Sequence, residues 1–237
     1  MVDHGSRVTR TTPVDLPLLH ALLGHYARQL LDLQKLRIMT TNRAGAMERD
    51  GLPEEWQMVT QAIAEQIKEA EKGIEKQLNR LAKQHFMADW IEAQPGIGVP
   101  GFARLMGITG PLDNFPNVAK LWAYVGMAVV DGHAPKQQKG VKGNWSPQGR
   151  VLCHQLADSI VKVGRGPWRE AYDVKKAYYE AERLDWPQAR RHNAAMRYAI
   201  KELLKAMWLE WNRRQATIQV SPTKALPAVN ELVGASA

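Results

Sequence analysis

Gln94-Pro95-Gly96-Ile97-Gly98-Val99-Pro100-Gly101-Phe102-Ala103 is the stretch on which the reading of this chain turns. Its glycines and prolines interrupt any helix. Apolar, helix-compatible segments flank it, Phe86 to Ala93 before and Phe102 to Ile108 after. The pattern predicts a glycine-rich hairpin between two helices. A P-G-I-G turn points several backbone N–H groups one way, and at a helix start such groups suit a phosphate. Glycine accepts positive φ and lets another backbone come close.

Upstream, the sequence is periodic. Leu19, Leu23, Tyr26, Leu30 and Leu33 fall at alternating steps of four and three within Val14 to about Met47, which predicts one helix with one apolar stripe. Asp50-Gly51-Leu52-Pro53 breaks it, and a second helix is expected from about Pro53 to Lys83. Its stripe is Val59, Ile63, Ile67, Ala70, Ile74, Leu78 and Leu81, with Glu65, Lys68, Glu69 and Lys72 on a solvated face. Two long amphipathic helices joined by a short turn predict an antiparallel helical hairpin, or coiled coil.

Downstream, Leu121, Trp122 and Tyr124 mark a short helix over 117–125, and 126–145 reads as a loop. In that loop Lys136, Lys139 and Lys142 follow Asp131, and no acid appears again until Asp158. Ser146-Pro147 is a helix start, with Ser as N-cap and Pro in the first turn. The helix it opens carries Val151, Leu152, Leu156, Ile160 and Val163 as its apolar set. Another helix follows from Pro167 to about Arg183, and a last one from Pro187 to about Arg214. The fold class expected is all-α: a long antiparallel helical hairpin (coiled coil), then a compact helical domain with a helix-hairpin-helix motif. The divisions are a lead-in over 1–13, the hairpin over 14–93, the second domain over 94–215 and a disordered tail over 216–237. Trp56, Trp90, Trp122, Trp168, Trp186, Trp208 and Trp211 are assigned to helix packing.

Composition narrows the function classes. The chain has 237 residues and a formal net charge of +8, which favours a polyanionic partner. Cys153 is the single cysteine, so neither an intramolecular disulfide nor a cysteine-cluster zinc site is available. A reducing, cytoplasmic and nucleoid-associated location is expected. Met1 to Arg10 lacks the apolar core of a signal peptide, and no apolar run is long enough to span a bilayer. No cofactor, metal site or membrane partner is expected. His154 beside Cys153 lacks further ligands, and Asp113, Asp131 and Asp158 are too scattered for a two-metal set.

Pro95-Gly96-Ile97-Gly98, then Gly107, Phe115 and Leu121-Trp122-Ala123-Tyr124-Val125-Gly126-Met127, followed by Trp145-Ser146-Pro147-Gln148-Gly149, resembles the C-terminal transposase domain of the IS-one-ten class of insertion-sequence transposases, relatives of the IS-one-one-six type. The resemblance spans roughly residues 15–215, including the helical hairpin and the basic helix from Arg190 to Trp211. It implies double-stranded DNA as partner, with a structured RNA as a further one, since some members use a guide RNA. It also implies a homo-oligomer, with the coiled coil as its contact. Two departures separate this sequence from the family's enzymes. The residues before 14 leave no room for the family's RuvC-like domain with its metal-holding acids. The family's nucleophilic serine is not matched either, because that neighbourhood reads Gly132-His133-Ala134-Pro135-Lys136-Gln137. The resemblance thus implies DNA recognition in transposition more than catalysis, and whether the chain is an enzyme stays open.

The DNA-binding residues expected are Gly96, Ile97 and Gly98 through the hairpin backbone, Lys136, Lys139, Lys142 and Arg150 in and after the loop, and Arg190, Arg191 and Arg197 on the last helix. Lys201, Lys205, Arg213 and Arg214 extend that basic face. Ser146 and His133 are the only catalytic candidates, and an N-cap role fits Ser146 better. Two alternatives stand beside a DNA-binding role. One is a transposase subunit that needs a separate RuvC-like chain. The other is a coiled-coil protein–protein module.

Overall fold

The computed structural model describes residues 15–129, 132–136, 140 and 143–220, with side chains as far as 217. Among these residues the chain is all-α, with eight α-helices and no strand. Helix α1, Leu16–Arg49, starts where the Asp15 carboxylate accepts the Leu18 N–H at 3.1 Å. Helix α2, Glu54–Ala82, returns antiparallel to it. Leu19, Leu23, Ala27 and Leu30 of α1 are buried, as are Ala64, Ile67, Leu78 and Leu81 of α2. Midway along the hairpin, Arg37 Nε donates to the buried Glu71 carboxylate at 2.7 Å.

The predicted α2 stripe does not hold over its whole length. Val59, Ile63 and Ala70 are exposed, and so is Trp56, assigned from the sequence to packing. At the turn end of the hairpin α2 has only α1 to lie against. A two-helix seam covers a narrow strip of each helix, so the wider stripe stays in water.

Beyond the hairpin come α3, Ala88–Glu92, α4, Gly98–Thr109, a 3-10 turn over Leu112–Asn114, and α5, Val118–Tyr124. The helix before the P-G-I-G turn is thus a single short turn, and the helix after it begins at Gly98 rather than Phe102. Helices α6, Pro147–Val163, α7, Pro167–Glu182, and α8, Gln188–Val220, complete the fold. Helix α8 runs past Arg214 into the stretch read as tail, because no glycine or proline interrupts the sequence before Pro222. Residues 221–237 lie outside the described residues. In α6, Val151 and Val163 are exposed instead of joining the core.

Helix α4 is the central element. Phe102, Ala103, Leu105 and Met106 are buried, and α4 packs on α1, α2 and α6. Gly107 allows the α1 crossing, since a Cβ there would overlap the Ala27 methyl and approach the Leu23 carbonyl oxygen to 2.8 Å. One core therefore runs from the base of the hairpin through α4 to α6 and α8. His20 of α1, His85 and Trp211 of α8 meet in this core, with ring centroids 5.1–5.6 Å apart. Among the described residues no helix is long and apolar enough to cross a membrane.

Candidate nucleic-acid interface

In the P-G-I-G turn, Gly96 and Gly98 have φ of +90° and +62°, a region that glycine alone enters freely. Ile97 between them is buried. The missing Gly96 side chain has a specific use, because a Cβ there would lie 2.9 Å from Ile160 Cα in α6. Pro95 packs likewise on Gly166. The close approach that glycine permits is therefore made to α6 of the same chain. What remains for a ligand is the backbone. Among the described residues, no acceptor takes the N–H of Gly96, Ile97 or Gly98. No side chain caps α4, and no acid lies in its first turn. This helix start keeps its positive end uncompensated.

A second set of groups converges around Gly126, which follows α5. A Cβ on Gly126 would press on Trp145 at 3.0 Å and on the Arg150 side chain at 3.2 Å. The Gly126 carbonyl accepts from Arg197 Nη1 at 3.2 Å, and the Pro135 carbonyl accepts from Arg150 Nη1 at 2.6 Å. Lys201, one turn after Arg197 on α8, sets its ammonium 4.1 Å from the Trp122 ring centre. The Trp122 indole N–H in turn donates to the Lys201 carbonyl at 3.1 Å. Arg150 lies over the Trp145 ring at 4.8 Å. His154, one turn after Arg150 on α6, completes the group.

These charges oppose one another. Burial lowers the Arg197 pKa, and the Arg150 charge lowers it further. Burial lowers the His154 pKa, helped by Arg197 and Arg150. Burial also lowers the Lys201 pKa, with Arg197 adding to it against the opposing pull of Glu202. None of Arg150, Arg197 or Lys201 forms an ion pair with a carboxylate among the described residues. Half-buried cations held together with no direct ion pair, Glu202 alone pulling on Lys201, are stabilised by an incoming anion. The hydrogen bonds to Gly126 and Pro135 fix the guanidinium groups in advance. No family model, curated protein or solved structure matches the chain.

The other predicted residues divide. Arg150 and Arg197 come together, and exposed Lys136 follows the Pro135 carbonyl that Arg150 binds. Lys139 and Lys142 lie outside the described residues. Arg190 stacks on Trp186 at 4.1 Å, and Arg191 Nε donates to the Trp186 carbonyl at 2.9 Å. Both sit at the start of α8, and among the described residues no hydrogen bond or ion pair joins them to the Gly126 cluster. Arg213 and Arg214 are bound to Glu210, and Arg214 also to Asp89. That end of the basic face is internally neutralised, and Glu210 is held down to about 2, first by its hydrogen bond to Arg213.

Of the catalytic candidates, Ser146 acts as the N-cap of α6, its Oγ accepting the Gly149 N–H at 3.0 Å. His133 is exposed in the loop. Cys153 is buried, and burial pushes its thiol up to about 12, which removes it as a nucleophile. No group of three or more His, Cys, Asp or Glu side chains able to hold a metal occurs among the described residues. Reading the sequence did not join His154 to Arg150, nor Trp122 to Lys201. The spacing Arg150/His154 and Arg197/Lys201, four residues in each case, was the available signal for one helical face.

Proposed function

We propose that this chain is a DNA-binding protein of transposition or recombination that holds the phosphate backbone. The observation that carries this reading is the half-buried cluster of Arg150, His154, Arg197 and Lys201, which forms no ion pair with a carboxylate among the described residues and in which Glu202 alone pulls on Lys201. The α3–turn–α4 unit is read as a helix-hairpin-helix whose free N–H groups take a second phosphate. Both sites lie along α6, the cluster near Arg150 and the hairpin beside Ile160. Their offset along that helix is about 15 Å. That is about the axial rise of four base-pair steps on one strand.

Phosphate contacts of this kind position DNA without reading its sequence. The order of motifs from Pro95 to Gly149, which resembles the transposase domain named above, gives the link to mobile elements. The helical hairpin supplies self-association, supported by the exposed Trp56, Met58, Val59 and Ile63 near its turn. That same apolar surface favours, as a second reading, a protein–protein module in which the hairpin is the working part. A third reading, a transposase subunit, would add strand transfer carried out with a RuvC-like nuclease. Duplex binding followed across a salt series separates the first two readings, because phosphate contacts impose a salt slope and a hairpin module does not.

A further inference from the structure

Helices α1, α4 and α6 leave an open groove between them with a volume of about 390 Å³. Its apolar lining includes Leu30 and Leu31 of α1, Ile108 of α4 and Leu152 of α6. The exposed lining positions mix apolar Ile38, Met39 and Val151, at 52%, 42% and 58% exposure, with Lys35, Gln148 and Gln155. Val151 belongs to the apolar set of α6 in the sequence, yet no element among the described residues covers it. Among the described residues, Lys35 and Arg104 are the only charged residues in the lining, and the other polar groups are the amides of Gln34, Gln148 and Gln155. No carboxylate of the described residues lines the groove.

The shape selects the occupant. Along α1 the groove runs from Ala27 to Met39, which is about 18 Å at the rise of an α-helix. That length fits about three turns of a docked helix, with apolar anchors at i, i+3 or i+4, and i+7. Nucleic acid fits poorly, since its phosphates would lose water against an apolar floor. A basic helix would meet Lys35 and Arg104 with like charge.

We propose that this groove docks an amphipathic helix of an acidic partner protein, with apolar side chains on the Leu30–Val151 floor and carboxylates facing Lys35 and Arg104. The site is separate from the Gly126 cluster and does not depend on DNA binding there.

The test uses the full chain and two fluorescent, helix-stapled peptides of about twelve residues, both with leucine at i, i+4 and i+7. One has glutamate along its flanks, the other lysine. In anisotropy titrations the acidic peptide is expected to bind at least about tenfold more tightly than the basic one, a difference of about 1.4 kcal/mol. Val151→Glu abolishes that binding while circular dichroism stays unchanged, as the position is exposed. A Lys35→Glu, Arg104→Glu double variant reverses the preference between the peptides. Equal binding of both peptides, acidic-peptide binding unaffected by Val151→Glu, or no binding of either peptide overturns the proposal. Displacement of the acidic peptide by duplex DNA from a chain already carrying Arg197→Gln and Lys201→Gln also overturns it, and assigns the groove to nucleic acid.

Discussion

Replacing His85 by glutamine should flatten the dependence of stability on pH between about 6.5 and 4.5, the interval in which histidines take up protons and carboxylates mostly do not. His85 is 3% exposed, where the base of the hairpin meets α8. Its Nδ1 accepts the Met87 N–H at 3.1 Å, so the ring proton sits on Nε2, 3.0 Å from Nε2 of His20. Both nitrogens are then in use in the neutral form, and a second proton would displace the Met87 bond. Burial, reinforced by His20, pushes the His85 pKa down from 6.5 to about 3. His20 is also lowered, by burial against the opposing pull of Asp113.

The sign follows from which state binds protons. As pH falls below 6.5 the unfolded chain protonates this imidazole and the folded chain does not, so stability is full above 6.5 and declines toward pH 3. The decline reaches about 2 kcal/mol at pH 5 and about 5 kcal/mol once the folded ring is protonated. Glutamine keeps an acceptor for Met87 and a donor for His20 but does not titrate. Urea midpoints at intervals from pH 7.5 to 4.5 measure the effect. The wild type should lose about 2 kcal/mol more than His85→Gln on going from pH 7 to 5. Parallel curves for the two proteins would show that His85 is not held neutral in the core, and would refute the reasoning.

Three substitutions probe the packing around the candidate site. Gly107→Ala drives a methyl into Ala27 where α1 crosses α4; it should cost about 3 kcal/mol and lower the melting temperature by about 6–12 °C. Gly96→Ala combines a φ of +90° with a Cβ 2.9 Å from Ile160 Cα, so a loss of about 1–3 kcal/mol is expected in chemical denaturation. Ser146→Ala removes the N-cap of α6 and should cost about 1 kcal/mol. It should leave duplex DNA affinity unchanged, and a large affinity loss at unaltered stability would place Ser146 in the binding or reacting machinery.

Much of the architecture was legible because it rests on local chemistry. Ser146 bounds α6 where cap chemistry places it. Leu19, Leu23 and Leu30 reach the core because three- and four-residue spacing puts them on one face. What stayed hidden depends on which elements meet. Val59, Ile63 and Val151 carry the same apolar pattern as buried neighbours, but nothing among the described residues packs over them. The length of α8 followed from the lack of a breaker before Pro222, against the small, polar look of the residues after Gln215. The P-G-I-G turn shows the same division. Its conformation is written in its glycines, whereas the surface that Gly96 approaches, Ile160, lies far away in sequence. The candidate site was half visible for a related reason. Arg150 and Arg197 stood out as basic residues, but their meeting beside Gly126 and the flanking indoles of Trp122 and Trp145 arises only from the packing of α5, α6 and α8.

The most direct test of the central claim is the salt dependence of duplex DNA binding by the wild type, by Lys201→Gln and by the Arg197→Gln, Lys201→Gln double variant. Melting curves first establish that the variants fold, since Arg197 also bonds the Gly126 carbonyl. If Arg150, Arg197 and Lys201 each neutralise one phosphate, log affinity should fall with log salt at a slope of about −2.7 or steeper. The single variant should be shallower by about 0.9 and the double variant by about 1.8. No binding by the wild type at low salt, or slopes that are the same for all three proteins, would contradict the account.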